Sequence, residues 1–394
     1  MSEFLKRTWA RIDLDAIEHN YHAIRRSLTG GSRLMAVVKA DAYGHGAACV
    51  ARTLQAAGAD WFGVSNLQEA IQLREEGITR PILILSYTPP EEAARLAAFG
   101  ITQAVISREY AERLNEAAAA AGVVLPVHVK LDTGMSRVGF FYHDEVADAP
   151  VIHALTRVCR LPQLLPQGIF THFASADEED GGFTEHQFAL FTHAIQRLEQ
   201  AGITFELKHC CNSAATLRFP HMHLDMVRPG IILYGAAPAP WMEALCPLTP
   251  AMSLKTVVSL VKEIPADTCV SYGRTFRTHR PTAVATVPIG YADGYPRSLS
   301  GTARMLVAGQ SVPLVGRVCM DQCLLDVTGV PDIREGMTVT VFGRDGGTCL
   351  PVEELAALAG TIHYEIVCLI GKRVPRIFYR GGDMIGKQDY FSAD

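Results

Sequence analysis

Between residues 33 and 235, short apolar runs alternate with helical patterns, and this alternation constrains the fold more than any other feature. Runs at 34–39, 61–65, 82–86, 103–106, 127–131, 168–173, 206–209 and 226–234 have the length and content of strands. Ala-, Leu- and Glu-rich segments such as 67–76, 108–121 and 184–200 lie between them and predict helices. Strand and helix in strict alternation argue for βα units and a parallel sheet. Eight strands in about 200–250 residues predict an α/β fold with a closed, TIM-like (β/α)8 barrel; an open doubly wound sheet is the alternative. No GxGxxG follows any of the strands, which removes the usual dinucleotide reading.

The pattern changes at 238–250, where Pro, Ala and Trp interrupt it. Beyond lie short alternating runs at 254–261, 283–288, 303–307, 312–317, 322–326 and 338–342, punctuated by Gly and Pro, which predict a mainly β domain. Residues 8–13 also read as a strand and are expected to pair with this second domain. The chain of 394 residues is too long for one ordinary core, so two domains are expected, 1–245 and 246–394. A net charge of -5 without a Lys/Arg-dominated stretch gives no support to a nucleic-acid partner or an anionic membrane. The polar start lacks the apolar core of a secretory signal, and no run is long enough to span a bilayer. The ten cysteines show no CxxC pair and no metal-ligand spacing. Reduced thiols, no metal and a cytoplasmic location are therefore expected. The adjacent Cys210 and Cys211 rarely suit a structural disulfide; a reactive pair is the weaker alternative.

In a parallel barrel the chemistry sits where the strands end. The polar residues just after the runs are Lys39, Tyr43 and His45, then Lys130, Asp132 and Arg137, then His172, Asn212, Ser213, Arg228 and Gly230. Any one alone reads equally well as a solvated loop residue; their convergence on one rim does not. Lys39 follows a buried run, where desolvation lowers an amine's pKa and suits it to Schiff-base chemistry. The alternative is a lysine extending to the barrel mouth. Arg228 offers a fixed guanidinium that could donate to an aromatic nitrogen and keep a proton off it; its alternative is an ion pair with Asp225. Asn212-Ser213 looks like a helix start able to hold a phosphate, or a simple cap. In the second domain Ser271-Tyr272-Gly273 puts a tyrosine at a turn, weak evidence alone.

Ala36-Val-Val-Lys39-Ala-Asp-Ala-Tyr43-Gly-His-Gly46 resembles the cofactor-lysine signature of alanine racemases. The resemblance continues in order through His128-Val-Lys130-Leu-Asp-Thr-Gly134-Met-Ser-Arg137, Thr171-His172, Asn212-Ser213, Val227-Arg228-Pro-Gly230, Ser271-Tyr272-Gly273, Ile289-Gly-Tyr291-Ala-Asp-Gly-Tyr295-Pro-Arg297, Gly316-Arg317-Val-Cys-Met320-Asp321 and Tyr364-Glu365. Joint order and spacing make it specific. It implies a pyridoxal 5'-phosphate enzyme interconverting L- and D-alanine, with Lys39 holding the cofactor and Lys39 and Tyr272 as opposing bases. It further implies that Tyr43, Asn212, Ser213, Gly230, Ile231 and Tyr364 bind the phosphate end, that Arg228 faces the ring nitrogen and that His172 lies beside the ring. Arg137 would meet the cofactor's phenolic oxygen and the substrate, and a carbamylated Lys130 would position it. Tyr272, Met320 and Asp321 would come from the partner in a homodimer with composite sites, with Met320 and Asp321 meeting substrate. Asp177, Arg297, Arg317 and Ile362 would line the access corridor.

One departure stands out: Gly371-Lys372 precedes Arg373-Val-Pro-Arg376 where the family often has a Ser-Tyr or similar pair. The family layout implies that this region lies away from the chemistry. A small pocket formed by Tyr272, Met320 and Tyr364 would favour alanine, with a broad-specificity or serine racemase as the alternative. Barrel decarboxylases of the ornithine or diaminopimelate type carry a Gly-rich phosphate turn and a Glu-Pro-Gly-Arg string that are not found here. A non-catalytic cofactor-binding protein would be a lone barrel, without a domain bearing Tyr272.

Overall fold

In the computed structural model, which describes residues 4–146 and 148–391, most of the predicted barrel runs become largely buried strands. The strands Arg33–Val37, Trp61–Val64, Ile82–Ile84, Ile101–Val105, Leu125–Asp132, Leu164–Phe170 and Leu207–His209 pair in parallel, each with the next. Met226–Val227 pairs in parallel with Arg33–Val37. Strands covered on both faces carry apolar residues continuously, so the runs do not alternate. The ring is completed less regularly between Leu207–His209 and Met226–Val227. There the Asp225 amide donates to the Lys208 carbonyl at 3.1 Å and the Arg228 amide to Cys211 at 3.0 Å. The result is a nearly closed eight-stranded parallel barrel with helices between the strands. Met35, Trp61, Leu83, Leu207 and Met226, from five strands, pack as one interior layer.

Helices begin where the sequence supplies side-chain caps. Asn66 accepts from the Glu69 amide ahead of Leu67–Glu75, and Ser107 from the Tyr110 amide ahead of Arg108–Ala120. The predicted strand 226–234 stops at Val227, and Ile231–Tyr234 is a 3₁₀ turn. Pro229 has no amide to donate to a ladder, so the strand cannot continue through it.

The chain divides into two compact units. One is the barrel, residues 16–42 and 47–249; the other comprises the residues up to Asp15, Tyr43–Gly46 and the chain from Pro250 onward. In the second, Thr8–Asp13 lies between Met252–Val257, antiparallel, and Arg376–Arg380, parallel. The predicted run 254–261 is two strands, Met252–Val257 and Leu260–Ile264, in different sheets. A hairpin of Arg376–Arg380 with Asp383–Gln388 and two helices, Val352–Ala359 and His363–Leu369, complete the unit. None of the described helices is long and apolar enough to cross a membrane.

Within the barrel unit, Asn20, in the helix Leu14–Ser27, is fully buried and ties that helix to the unit's last residues. Its amide nitrogen donates to the carbonyls of Leu233 at 3.1 Å and Thr249 at 2.8 Å, and its oxygen accepts from the Thr249 amide at 2.7 Å. Asn20→Ala removes three bonds and strands two carbonyls and an amide. Urea unfolding should show a loss of about 2–4 kcal/mol, and a loss below about 0.5 would remove this role.

Candidate active site

The strand-end residues are built into the barrel rim by local hydrogen bonding. Lys39 follows Arg33–Val37, and the four residues after it all have left-handed backbone, with φ of 52–54° at Ala40, Asp41, Ala42 and Tyr43. Without glycine this conformation costs about 1–2 kcal/mol per residue. Two carboxylates hold the turn. Glu69 accepts from the Ala40 amide at 2.8 Å, and Asp41 from the Ala47 amide at 2.7 Å. Such strain persists only where surrounding bonds impose it, and it clusters at functional sites.

Lys130 and Asp132 end the strand Leu125–Asp132, both buried. Asp132 accepts from the amides of Gly134, Ser136 and Arg137 at 2.9–3.1 Å, folding the loop that carries Arg137. A Cβ on Gly139 would lie 2.8 Å from the Lys130 carbonyl oxygen and 2.9 Å from its Cγ, so glycine makes room for this lysine. Burial, then the nearby Arg228, push the Lys130 pKa well below the ordinary lysine value, favouring a neutral amine.

Arg228 follows Met226–Val227 and is buried. It does not pair with Asp225, which instead accepts from the Lys208 amide at 2.8 Å. Its Nη2 donates to the carbonyls of Thr171 at 2.7 Å and Cys210 at 3.0 Å, and its Nη1 meets His209 Nδ1 at 3.0 Å. Burial lowers its pKa to about 10, so it stays charged at neutral pH. An arginine can only donate, so His209 Nδ1 must accept and its proton sits on Nε2. That proton is then given to His128 Nδ1, 2.8 Å away, which leaves the His128 proton on Nε2. His128 Nε2 has no hydrogen-bond partner among the described residues. A Cβ on Gly168 would lie 2.7 Å from the His128 ring, so glycine there admits the chain of rings. The strand reading did not single out His128 or His209; a histidine ending a buried strand, as at 209, was the available signal.

His172 is surrounded by positive charge. Desolvation, then Arg228, Lys130, Arg137 and Lys39, depress its pKa well below the usual histidine range, and it is neutral. Four of the predicted barrel residues thus act electrostatically on a fifth. Asn212 caps Ser213–Arg218, accepting from the Ala215 amide at 3.0 Å, so its side chain is occupied by the cap. The Gly230 amide donates to Ser213 Oγ at 2.8 Å, which brings those two predicted residues together. The Asp177 carbonyl accepts from the Trp241 indole at 3.0 Å. Cys210 and Cys211 are buried, both thiols facing the Met222 carbonyl at 3.1 and 3.2 Å.

The second unit groups the others. The rings of Tyr43 and Tyr364 lie 6.2 Å apart, and burial pushes the Tyr43 phenol up. Ser271, in left-handed backbone, presents Tyr272, which is 71% exposed, as is 53% of Met320 and 60% of Ile362. Arg317 packs against Gly273, where a Cβ would lie 3.2 Å from its guanidinium carbon. Arg297 opens the 3₁₀ turn Arg297–Leu299. Arg373, just after the departure at Gly371-Lys372, pairs with Asp321, a predicted substrate residue, at 2.8 Å.

A (β/α)8 barrel with amines, guanidiniums and neutral imidazoles at its strand ends, in a chain with a mainly β unit, sets the chain among two-unit barrel proteins. Residues 12–238 match the family described as alanine racemase, N-terminal domain, and residues 251–378 match alanine racemase, C-terminal domain. The chain belongs to the alanine racemase family, which makes it an isomerase. It is 46% identical to the alanine racemase of Desulfovibrio desulfuricans over 96% of this chain and 100% of that one. The alanine racemase structure from Clostridium difficile superposes with a TM-score of 0.93 at 37% identity, covering 99% and 100% of the two chains. That from Bacillus anthracis with bound L-Ala-P gives 0.92 at 36% identity, covering 99% of each chain.

Three neutral buried histidines make stability depend on pH. His128, pulled down to about 3, and His172 and His209, also depressed, bind fewer protons folded than unfolded. Stability should therefore be complete above the unfolded value of about 6.5 and fall as pH drops below it, by up to about 1.4 kcal/mol per pH unit for each histidine. Urea midpoints from pH 7.5 to 4.5 measure the slope. His128→Gln should flatten it by one histidine's share; an unchanged slope would show that His128 is charged when folded.

Proposed function

We propose that the chain interconverts L- and D-alanine with pyridoxal 5'-phosphate, using Lys39 and Tyr272 of a second copy as opposing bases. The observation that carries this reading is Arg228, a buried guanidinium fixed at the barrel rim beside neutral His172 and the lysine-bearing strand. Three of its five N–H groups are held by firm acceptors, so it can still donate to a ring nitrogen. The donor set fits the cofactor: a cation for the ring nitrogen, a planar imidazole beside the ring, and Ser213, Gly230 and Ile231 for the phosphate. When bound, the cofactor supplies an electron sink that acidifies the Cα of alanine.

Lys39 would hold the cofactor through its side-chain amine. Its Nζ then moves a proton at Cα on one face, and the Tyr272 phenol does so on the other. Two bases suit racemisation, because a single one returns the proton to the face it came from. Arg228 keeps a proton off the ring nitrogen, which favours prompt return of the proton to Cα over transamination. Arg137 orients the substrate carboxylate and the cofactor's phenolic oxygen. Lys130, a buried amine favoured neutral, is carbamylated by carbon dioxide, releasing a proton, and the new anion holds Arg137. Tyr272, Met320 and Asp321 act from the partner of a homodimer, consistent with the exposure of Tyr272 and Met320.

Purified protein should absorb near the edge of the visible range and form D-alanine from L-alanine in a coupled D-amino-acid oxidase assay. Lys39→Ala should lose the band and at least about 10³-fold of the activity, as expected for losing a base that also anchors the cofactor. No band with cofactor supplied would overturn the reading. Serine racemised as fast as alanine would favour a broad-specificity racemase instead.

A further inference from the structure

We infer that Arg373 and Arg7 are positioning residues that clasp the Arg317–Asp321 loop to the buried carboxylate of Asp293. This rests on the proposal above that Met320 and Asp321 meet the substrate.

Asp293 is fully buried. Arg7 reaches it with both guanidinium arms, Nη1 to Oδ1 at 2.9 Å and Nη2 to Oδ2 at 3.3 Å, and the Gly290 amide donates to Oδ2 at 3.0 Å. A buried carboxylate requires such partners, and Arg7 with Gly290 already supplies them. Arg373 is therefore a second cation with a different geometry. Its Nε lies 3.5 Å from Asp293, while its Nη1 makes the shorter contact, 2.8 Å, to Asp321 Oδ1. Arg7 Nη2 also leans on the Asp321 carbonyl oxygen at 3.4 Å. The loop is thus gripped at both side chain and main chain of Asp321.

The backbone completes the clasp. Tyr291 and Ala292 donate their amides to the carbonyls of Cys319 and Met320 at 3.1 and 3.0 Å. A Cβ on Gly290 would lie 2.3 Å from both carbonyl oxygens, so only glycine permits this approach. The Gly371 amide donates to the Asp293 carbonyl at 3.0 Å, which places Arg373. Three remote segments, at residues 7, 290–293 and 371–373, converge on one loop. Met320 and Asp321 are themselves half exposed, so their position comes from these neighbours.

The test is steady-state racemisation of alanine by the cofactor-loaded enzyme, with thermal unfolding in parallel. Arg373→Gln should raise KM about three- to fivefold with kcat within about twofold of wild type, the scale of a partly exposed ion pair. Asp321→Asn should raise KM as well, and the double variant should be no worse than the worse single, because both remove one coupling. An unchanged KM in Arg373→Gln, or effects that multiply in the double variant, would overturn the clasp. A lowered melting temperature at unchanged KM would mark a merely structural role and overturn it too. If Arg373→Gln fails to fold, Arg373→Lys keeps charge near Asp293 but cannot bridge two carboxylates, and the same KM rise is expected; no rise overturns the inference. Should Asp321→Asn raise KM while Arg373 variants do not, the inference alone fails. Should Asp321→Asn leave KM untouched, the loop's proposed meeting with substrate fails, and the clasp with it.

Discussion

The barrel rim is organised by one buried positive charge. Arg228 leaves bulk water only because Thr171, Cys210 and His209, from the ends of neighbouring strands, each offer an acceptor at 2.7–3.0 Å. That arrangement dictates more than its own position. It forces the tautomer of His209, and through it that of His128, so two imidazoles in the barrel interior must be neutral. It also disfavours protonation of His172. With Arg137 and Lys39 nearby, and Lys130 favoured neutral, the rim is positive. The nearest carboxylate at the end of that strand, Asp132, is engaged by three amides in its own loop. A site of this sign attracts an anionic group without a local carboxylate to compete for it.

The barrel was legible in the sequence because its strands are covered on both faces and read as unbroken apolar runs. The reading failed where that condition fails. At 226–234 an apolar run continues past Pro229, but the ladder cannot, and the remainder winds into a 3₁₀ turn. At 254–261 one apparent strand is two, because Leu260–Ile264 belongs to another sheet and is largely exposed. The final hairpin, Arg376–Arg380 with Asp383–Gln388, was not anticipated; its second strand alternates exposed and half-exposed residues around Gly386, which leaves no apolar run to read.

The residues of the rim were legible for a geometric reason. A parallel barrel gathers its strand ends on one side, so the polar residue after each run can be placed without knowing any contact. What local sequence does not carry is what holds those residues. His128 and His209 meet across 81 positions, Glu69 reaches the Ala40 amide across 29, and Arg7 reaches Asp293 across 286. Arg373 shows the same limit: a segment that family layout places away from the chemistry lies 2.8 Å from Asp321. Supporting contacts depend on the completed fold, whereas the groups they support sit at predictable ends of elements.

The turn after Lys39 shows why such support matters. Four consecutive non-glycine residues in left-handed backbone would not hold that shape alone, since the accumulated cost is about 4–8 kcal/mol. That is comparable to the whole stability of an ordinary domain. It is borne by the Glu69 and Asp41 carboxylates on backbone amides, and by Tyr234, whose hydroxyl donates to the Val37 carbonyl at 2.9 Å and fixes the strand end from which the turn departs. A right-handed turn would carry no such cost. Its absence just after Lys39 means that the backbone there is imposed by the fold, at an expense the rest of the barrel must offset.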